Sequence, residues 1–154
     1  MSLTLQTFLA TSATKAAAEL VTAYLRLPED RRAWSPEAKS RTALDQVAEC
    51  AVLNGYTVTL IQTRVWPSGG FESFLSAKAE VSALDWESLK ALLEENTRKA
   101  VAVIGAFPDD ELEAEVDLPW GKSSLAEILA FPYWNMTYHQ GQITYIASML
   151  GCLE

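Results

Sequence analysis

Apolar residues recur every three or four positions through several long stretches of this chain, and that period limits its fold more than any other feature. From Leu3 to Leu25 the series is Leu5, Leu9, Ala13, Ala16, Leu20 and Tyr24, one face of a helix. Pro28 ends it, because proline has no amide hydrogen to continue the ladder. A second series, Leu44, Val47, Ala48, Ala51, Val52, Tyr56 and Leu60, predicts a helix from about Ser40 to Arg64. Gly55 inside it is a poor helix former, so a close helix contact or a bend is expected there. The third series, Trp86, Leu89, Leu93, Ala100, Val103, Ile104 and Phe107, starts near Asp85, with Ser82 or Asp85 as N-cap and Pro108 as the stop. The last helix opens with the capping-box spacing of Ser124 and Glu127 and should run from Leu125 to about Leu150, ending near Gly151. Pro132 inside it should kink it or leave a carbonyl unpaired.

The connections are less regular. Pro28 to Lys39 is charged and reads as a loop. Trp66 to Gly70 (WPSGG) is a breaker cluster, and Phe71 to Ala83 reads as a long crossover loop with a short helical turn. The acidic run from Asp109 to Asp117 alternates with Leu112, Ala114, Val116 and Leu118. That period of two belongs to a half-exposed strand with a solvated acidic face, leading to Pro119, Trp120 and Gly121. Residues 1–154 therefore read as one all-α domain, a four-helix bundle. It carries a long crossover connection between helices two and three and a short ribbon before helix four.

A formal net charge of −8 excludes a nucleic-acid partner, which needs clustered Lys and Arg to displace counterions. No uncharged apolar run approaches the ~20 residues of a membrane helix, and Lys15 and Glu19 interrupt any signal-like start, so a soluble cytoplasmic protein is expected. Cys50 and Cys152 lack CxxC spacing and read as free thiols in a reducing compartment. No GxGxxG or P-loop sequence occurs, and Ser68, Ser123 and Ser124 lack any GxSxG frame. The chain has one histidine, so it cannot build a three-histidine metal site or an HxxxH pair.

That histidine lies in Asn135-Met136-Thr137-Tyr138-His139-Gln140-Gly141-Gln142-Ile143. Asn135, His139 and Gln142 are spaced to share one helix face. Gly141 leaves room for a backbone or ligand, and Trp134 is placed to line a pocket. Such a polar stripe in an apolar helix is either a buried hydrogen-bonded network or a bundle-core site that opens to a pocket. The five tryptophans suit core or rim packing; Trp66 and Trp120, in connections, are candidate exposed aromatics for a dimer contact.

PWGKSSLAEIL followed by NMTYHQGQI resembles the C-terminal half of the DinB / YfiT-like proteins, whose fourth helix carries a motif close to HxxxHxGQ. The stretch from Ala43 to Asn54 (ALDQVAECAVLN) resembles the family segment that holds the first metal-binding histidine. The resemblance runs from helix one to Gly151. It implies a four-helix bundle, a divalent metal (zinc or nickel) on three imidazoles, thiol- or metal-dependent transferase activity in some members, and homodimers.

His139 matches the second histidine of the motif, and Gly141 and Gln142 match its GQ. The first histidine falls on Asn135, and the helix-two histidine on Glu49, or on Asp45 one turn earlier. Glu49, Asn135 and His139 would then offer a metal one carboxylate, one amide and one imidazole. The resemblance so read implies a DinB-like protein with a degenerate metal site. Its pocket would be Glu49, Asn135, His139, Gln142 and Trp134, and it would act as a small-molecule-binding or non-catalytic module. The alternative is a metal- or thiol-dependent transferase using the same pocket. Without metal, Glu49 should accept a hydrogen bond from the His139 ring and Asn135 should complete the cluster. Cys50, about 100° round the helix from Glu49, should miss the site.

Overall fold

Short polar caps, prolines and glycines cut the described residues into five α-helices and one ribbon. The computed structural model describes residues 3–67 and 69–153. Helix α1 is Leu5–Leu25, capped by Thr4, whose hydroxyl accepts from the Thr7 amide. Helix α2 is Ala43–Thr63; Thr42 caps it, and Arg64 ends it in the left-handed conformation. Helix α3 is Gly70–Ser82 and helix α4 is Trp86–Gly105. Of the two candidate caps of α4, Asp85 serves, accepting from the Ser88 amide. Strands β1 (Glu115–Leu118) and β2 (Gly121–Ser124) pair antiparallel, with Glu115 opposite Ser124 and Leu118 opposite Gly121. Helix α5, Leu125–Met149, begins with the full capping box of Ser124 and Glu127 and runs on through the buried Pro132.

Where the sequence suggests a loop with a short turn, residues 70–82 form a helix, so five helices replace the expected four. Phe74, Ala77 and Val81 recur at helical spacing and pack on the core. Gly69, in the left-handed region at φ 93°, lets the helix start directly after the breaker cluster.

The four long helices lie side by side. Helix α1 packs on α4 and α5, and α2 packs on α4 and α5 and carries α3 on its flank. One end of the core holds Leu20 and Tyr24 of α1, Ala43 and Val47 of α2, Leu89 of α4 and Ile143 of α5. The other end holds Leu9, Leu60, Ile104 and Leu125 of the same helices. Helices α2 and α4 are therefore parallel neighbours, with α1 and α5 running against them. Parallel neighbours need a return leg along their whole length, and α3 is that leg. This is the physical reason for the long connection. Gly55 makes the expected close contact: a Cβ there would lie 2.9 Å from Asn96 Nδ2, which donates to the Ala51 carbonyl at 2.9 Å.

Between α2, α4 and α5 the buried Asn54 donates through Nδ2 to Thr97 Oγ1 at 2.9 Å and toward Met136 Sδ at 3.5 Å. Among the described residues no helix is long and apolar enough to cross a membrane.

Candidate functional site

Residues spaced four apart on α2 and its cap place three charges in a row: Arg41, Asp45 and Glu49. The facing turns of α5 bring His139 against them. His139 Nε2 donates to Glu49 Oε1 at 2.9 Å, and the ring is almost wholly buried. Glu49 Oε2 accepts from Arg41 Nη2 at 2.8 Å. Arg41 Nε donates to Asp45 Oδ2 at 2.5 Å, and Asp45 Oδ1 accepts from Lys78 Nζ of α3 at 2.9 Å. On the other ring edge, His139 Nδ1 lies 3.0 Å from the side-chain carbonyls of both Gln46 and Gln142. A glutamine amide can turn either its oxygen or its NH2 group to that nitrogen, so the pair suits Nδ1 as donor or as acceptor.

The electrostatics follow from this wiring. Burial pushes the Glu49 carboxyl up. The hydrogen bond from His139 and the Arg41 guanidinium outweigh it and hold Glu49 below its ordinary value. Asp45 is likewise raised by burial but held low by Lys78 and Arg41. Arg41 is lowered by burial, yet Glu49 and Asp45 leave it above its ordinary value.

The network forms one end of a cleft of about 670 Å³. Glu49, Asn135 and His139 lie at its polar end, and Trp134 and Tyr138 of α5 form one wall. Trp66, Phe71, Phe74 and Trp120, from the α2–α3 connection, α3 and the ribbon turn, form the other. Trp66 meets Trp120 edge to face with centroids 5.0 Å apart, and Trp134 stacks on Tyr138 at 5.7 Å. Arg41 and Tyr138 also border a second cleft of about 650 Å³ behind the network.

Glu49, Asn135, His139 and Trp134 thus come together as expected. Gln142 does not line their cleft: it bonds His139 from behind and faces the second one. Asn135 does not complete the Glu49–His139 pair; its Nδ2 points to Cys50 Sγ at 3.6 Å. Cys50 does not line the cleft, as expected, although its sulfur lies against the Asn135 amide. Its thiol is fully buried, and desolvation pushes it well above its ordinary value, so it is no nucleophile. Asp45 belongs to the network through Arg41 and Lys78, not as a partner of His139. Gly141 faces open space, with no backbone approaching it. Trp66 is buried by its aromatic neighbours, while Trp120 is exposed. Ser124 is spent as the α5 cap, Ser123 lines the cleft, and Ser68 lies outside the described residues.

Sequence reasoning missed Arg41, Gln46 and Lys78. The four-residue ladder of Arg41, Asp45 and Glu49 was a readable signal for the first, and the Gln46–Glu49 spacing for the second. Lys78 carried none without α3.

The donor set does not fit a tight zinc or nickel site. Glu49 has both oxygens engaged, one by a guanidinium that brings its own positive charge. Asn135 turns its amide nitrogen to Cys50, and a neutral amide is a weak ligand for such ions. Among the described residues no three His, Cys, Asp or Glu side chains are placed to hold a metal ion.

No family model matches the chain, and no curated protein matches it. Its fold is similar to that of an uncharacterised protein from Escherichia coli UTI89, with a TM-score of 0.73 at 16% identity, covering 96% of this chain and 95% of that one. It is also similar to a protein from Streptococcus pneumoniae, with a TM-score of 0.71 at 14% identity, covering 100% of this chain and 94% of that one. At these identities the likeness is one of fold.

Proposed function

We propose that this chain is a DinB-like four-helix bundle whose metal site is degenerate and whose cleft binds a small molecule without catalysis. The single observation that carries the reading is the wiring of Glu49 and His139. Both carboxylate oxygens and both ring nitrogens already have protein partners. A general base or metal ligand acts through an atom aimed at its target, and each of these four atoms is already turned to a protein partner. The cleft beside them has the volume of small-molecule pockets and a lining rich in aromatic side chains with a smaller set of polar groups.

The helix arrangement and the match of His139, Gly141 and Gln142 to the family motif support the DinB-like assignment. The test is metal analysis of the purified protein beside Glu49→Gln and His139→Ala. The expected result is substoichiometric zinc and nickel in all three. Stoichiometric metal in the parent, lost from both variants, would overturn this reading in favour of a metal-dependent transferase in the same cleft.

A further inference from the structure

We propose that the cleft selects an organic cation, specifically a small molecule carrying a quaternary or tertiary ammonium group. This rests on the reading of the cleft as a ligand site and names the ligand's chemistry. The walls carry the first argument. Phe71, Trp120, Trp134 and Tyr138 keep 51–60% of their surface exposed, although large aromatic side chains are seldom left so open in a cluster. All four line the one cleft, with three indoles among its lining residues. An aromatic ring presents a negative π face, and several rings round one space make the cage that recognises alkylated ammonium ions.

Charge carries the second argument. Among the lining residues the cationic side chain is Arg41; it pairs with Glu49 and with Asp45, which also holds Lys78, so these four charges sum to zero. A third carboxylate, the exposed Glu127, lines the cleft and is in no ion pair among the described residues; one of its oxygens accepts from Ser124, and the other has no protein hydrogen-bond partner among them. The local balance is therefore negative, in a chain whose net charge is −8. A carboxylate ligand would meet this balance with the wrong sign. A neutral one would gain nothing from the Glu127 charge or the ring quadrupoles.

Three probes of one shape separate the possibilities: choline, neohexyl alcohol, in which carbon replaces the nitrogen, and tert-butylacetate. Binding is read from tryptophan fluorescence, because Trp66, Trp120 and Trp134 line the cleft. Choline is expected to bind at least about tenfold more tightly than the alcohol, with tert-butylacetate weakest and the preference falling as salt rises. Trp134→Ala, at an exposed position where the fold does not depend on the ring, should weaken choline by roughly threefold or more. Alcohol or tert-butylacetate binding as tightly as choline would overturn the cation assignment and leave the ligand site standing. No response to any of the three would overturn both.

Discussion

Replacing Glu49 by glutamine and by alanine separates the hydrogen bond at the site from its charge. Glutamine keeps an oxygen for the His139 Nε2–H at 2.9 Å and loses the ion pair with Arg41. That pair is partly open to water and Arg41 keeps Asp45, so the loss is at most about 1 kcal/mol. Alanine removes both. Arg41 can turn to solvent, but the buried imidazole cannot, and an unpaired buried donor costs about 1–3 kcal/mol. With the small cavity left by the side chain, the total is about 2–4 kcal/mol. For a chain of this size each kcal/mol moves the thermal midpoint by roughly 2–4 °C. Glu49→Gln should thus melt within about 4 °C of the parent and Glu49→Ala about 4–16 °C below it, by circular dichroism at neutral pH. Equal losses in the two variants would refute the claim that the His139 hydrogen bond is the structural content of the site. A loss under about 1 °C for alanine would refute the claim that the network holds α2 to α5.

The folded forms of Asp45 and Glu49 bind protons more weakly than the unfolded chain does, so their contribution is full above the ordinary carboxylate range, about pH 4–4.5. It is lost as pH falls through their lower folded values; midpoints measured downward from about pH 6 should drop in that window, and less steeply in Glu49→Gln. Thr97→Val takes away the hydroxyl that accepts from Asn54 inside the core, which should cost about 1–3 kcal/mol in urea titrations. An aromatic disulfide reagent should modify Cys152 in the native protein and Cys50 in denaturant alone, because Cys50 is fully buried. Lys78→Met removes the α3–Asp45 ion pair, and amide exchange should quicken in α3 with less than about 1 kcal/mol lost globally.

How far the sequence could be read depended on whether the signal was local. The caps of α4 and α5 and the stop before Pro108 are local, and the structure carries each; of the alternating acidic run it makes Glu115–Leu118 a strand but Asp109–Glu111 a 3₁₀ turn. The face shared by Asn135 and His139 follows from helical spacing and was equally legible. Helix α3 was not, because its apolar stripe is short and a proline–glycine cluster stands directly before it. That miss hid Lys78, and with it the far end of the ion-pair chain. The partner of Asn135 was illegible for another reason. Cys50 points away from Glu49 on α2, and the side-chain direction of α5, not spacing on α2, brings the amide to its sulfur.

The ion pairs also bear on the shape of the cleft. Among the described residues of α3 only Phe74 is buried, so burial fixes this helix weakly compared with its longer neighbours. Yet α3 supplies Phe71 and Phe74 to one wall, while α5 supplies Trp134 and Tyr138 to the other. A chain of charges runs between the two walls, from Lys78 through Asp45, Arg41 and Glu49 to His139. Each partly exposed link contributes little alone, but the links share partners, so weakening one loosens the next. The width of the cleft is therefore set partly by electrostatics that salt can screen, and not by apolar packing alone. A ligand touching both walls adds the contact that α3 otherwise lacks. Slower amide exchange in α3 on filling the cleft is the expected outcome, and unchanged exchange would refute this coupling.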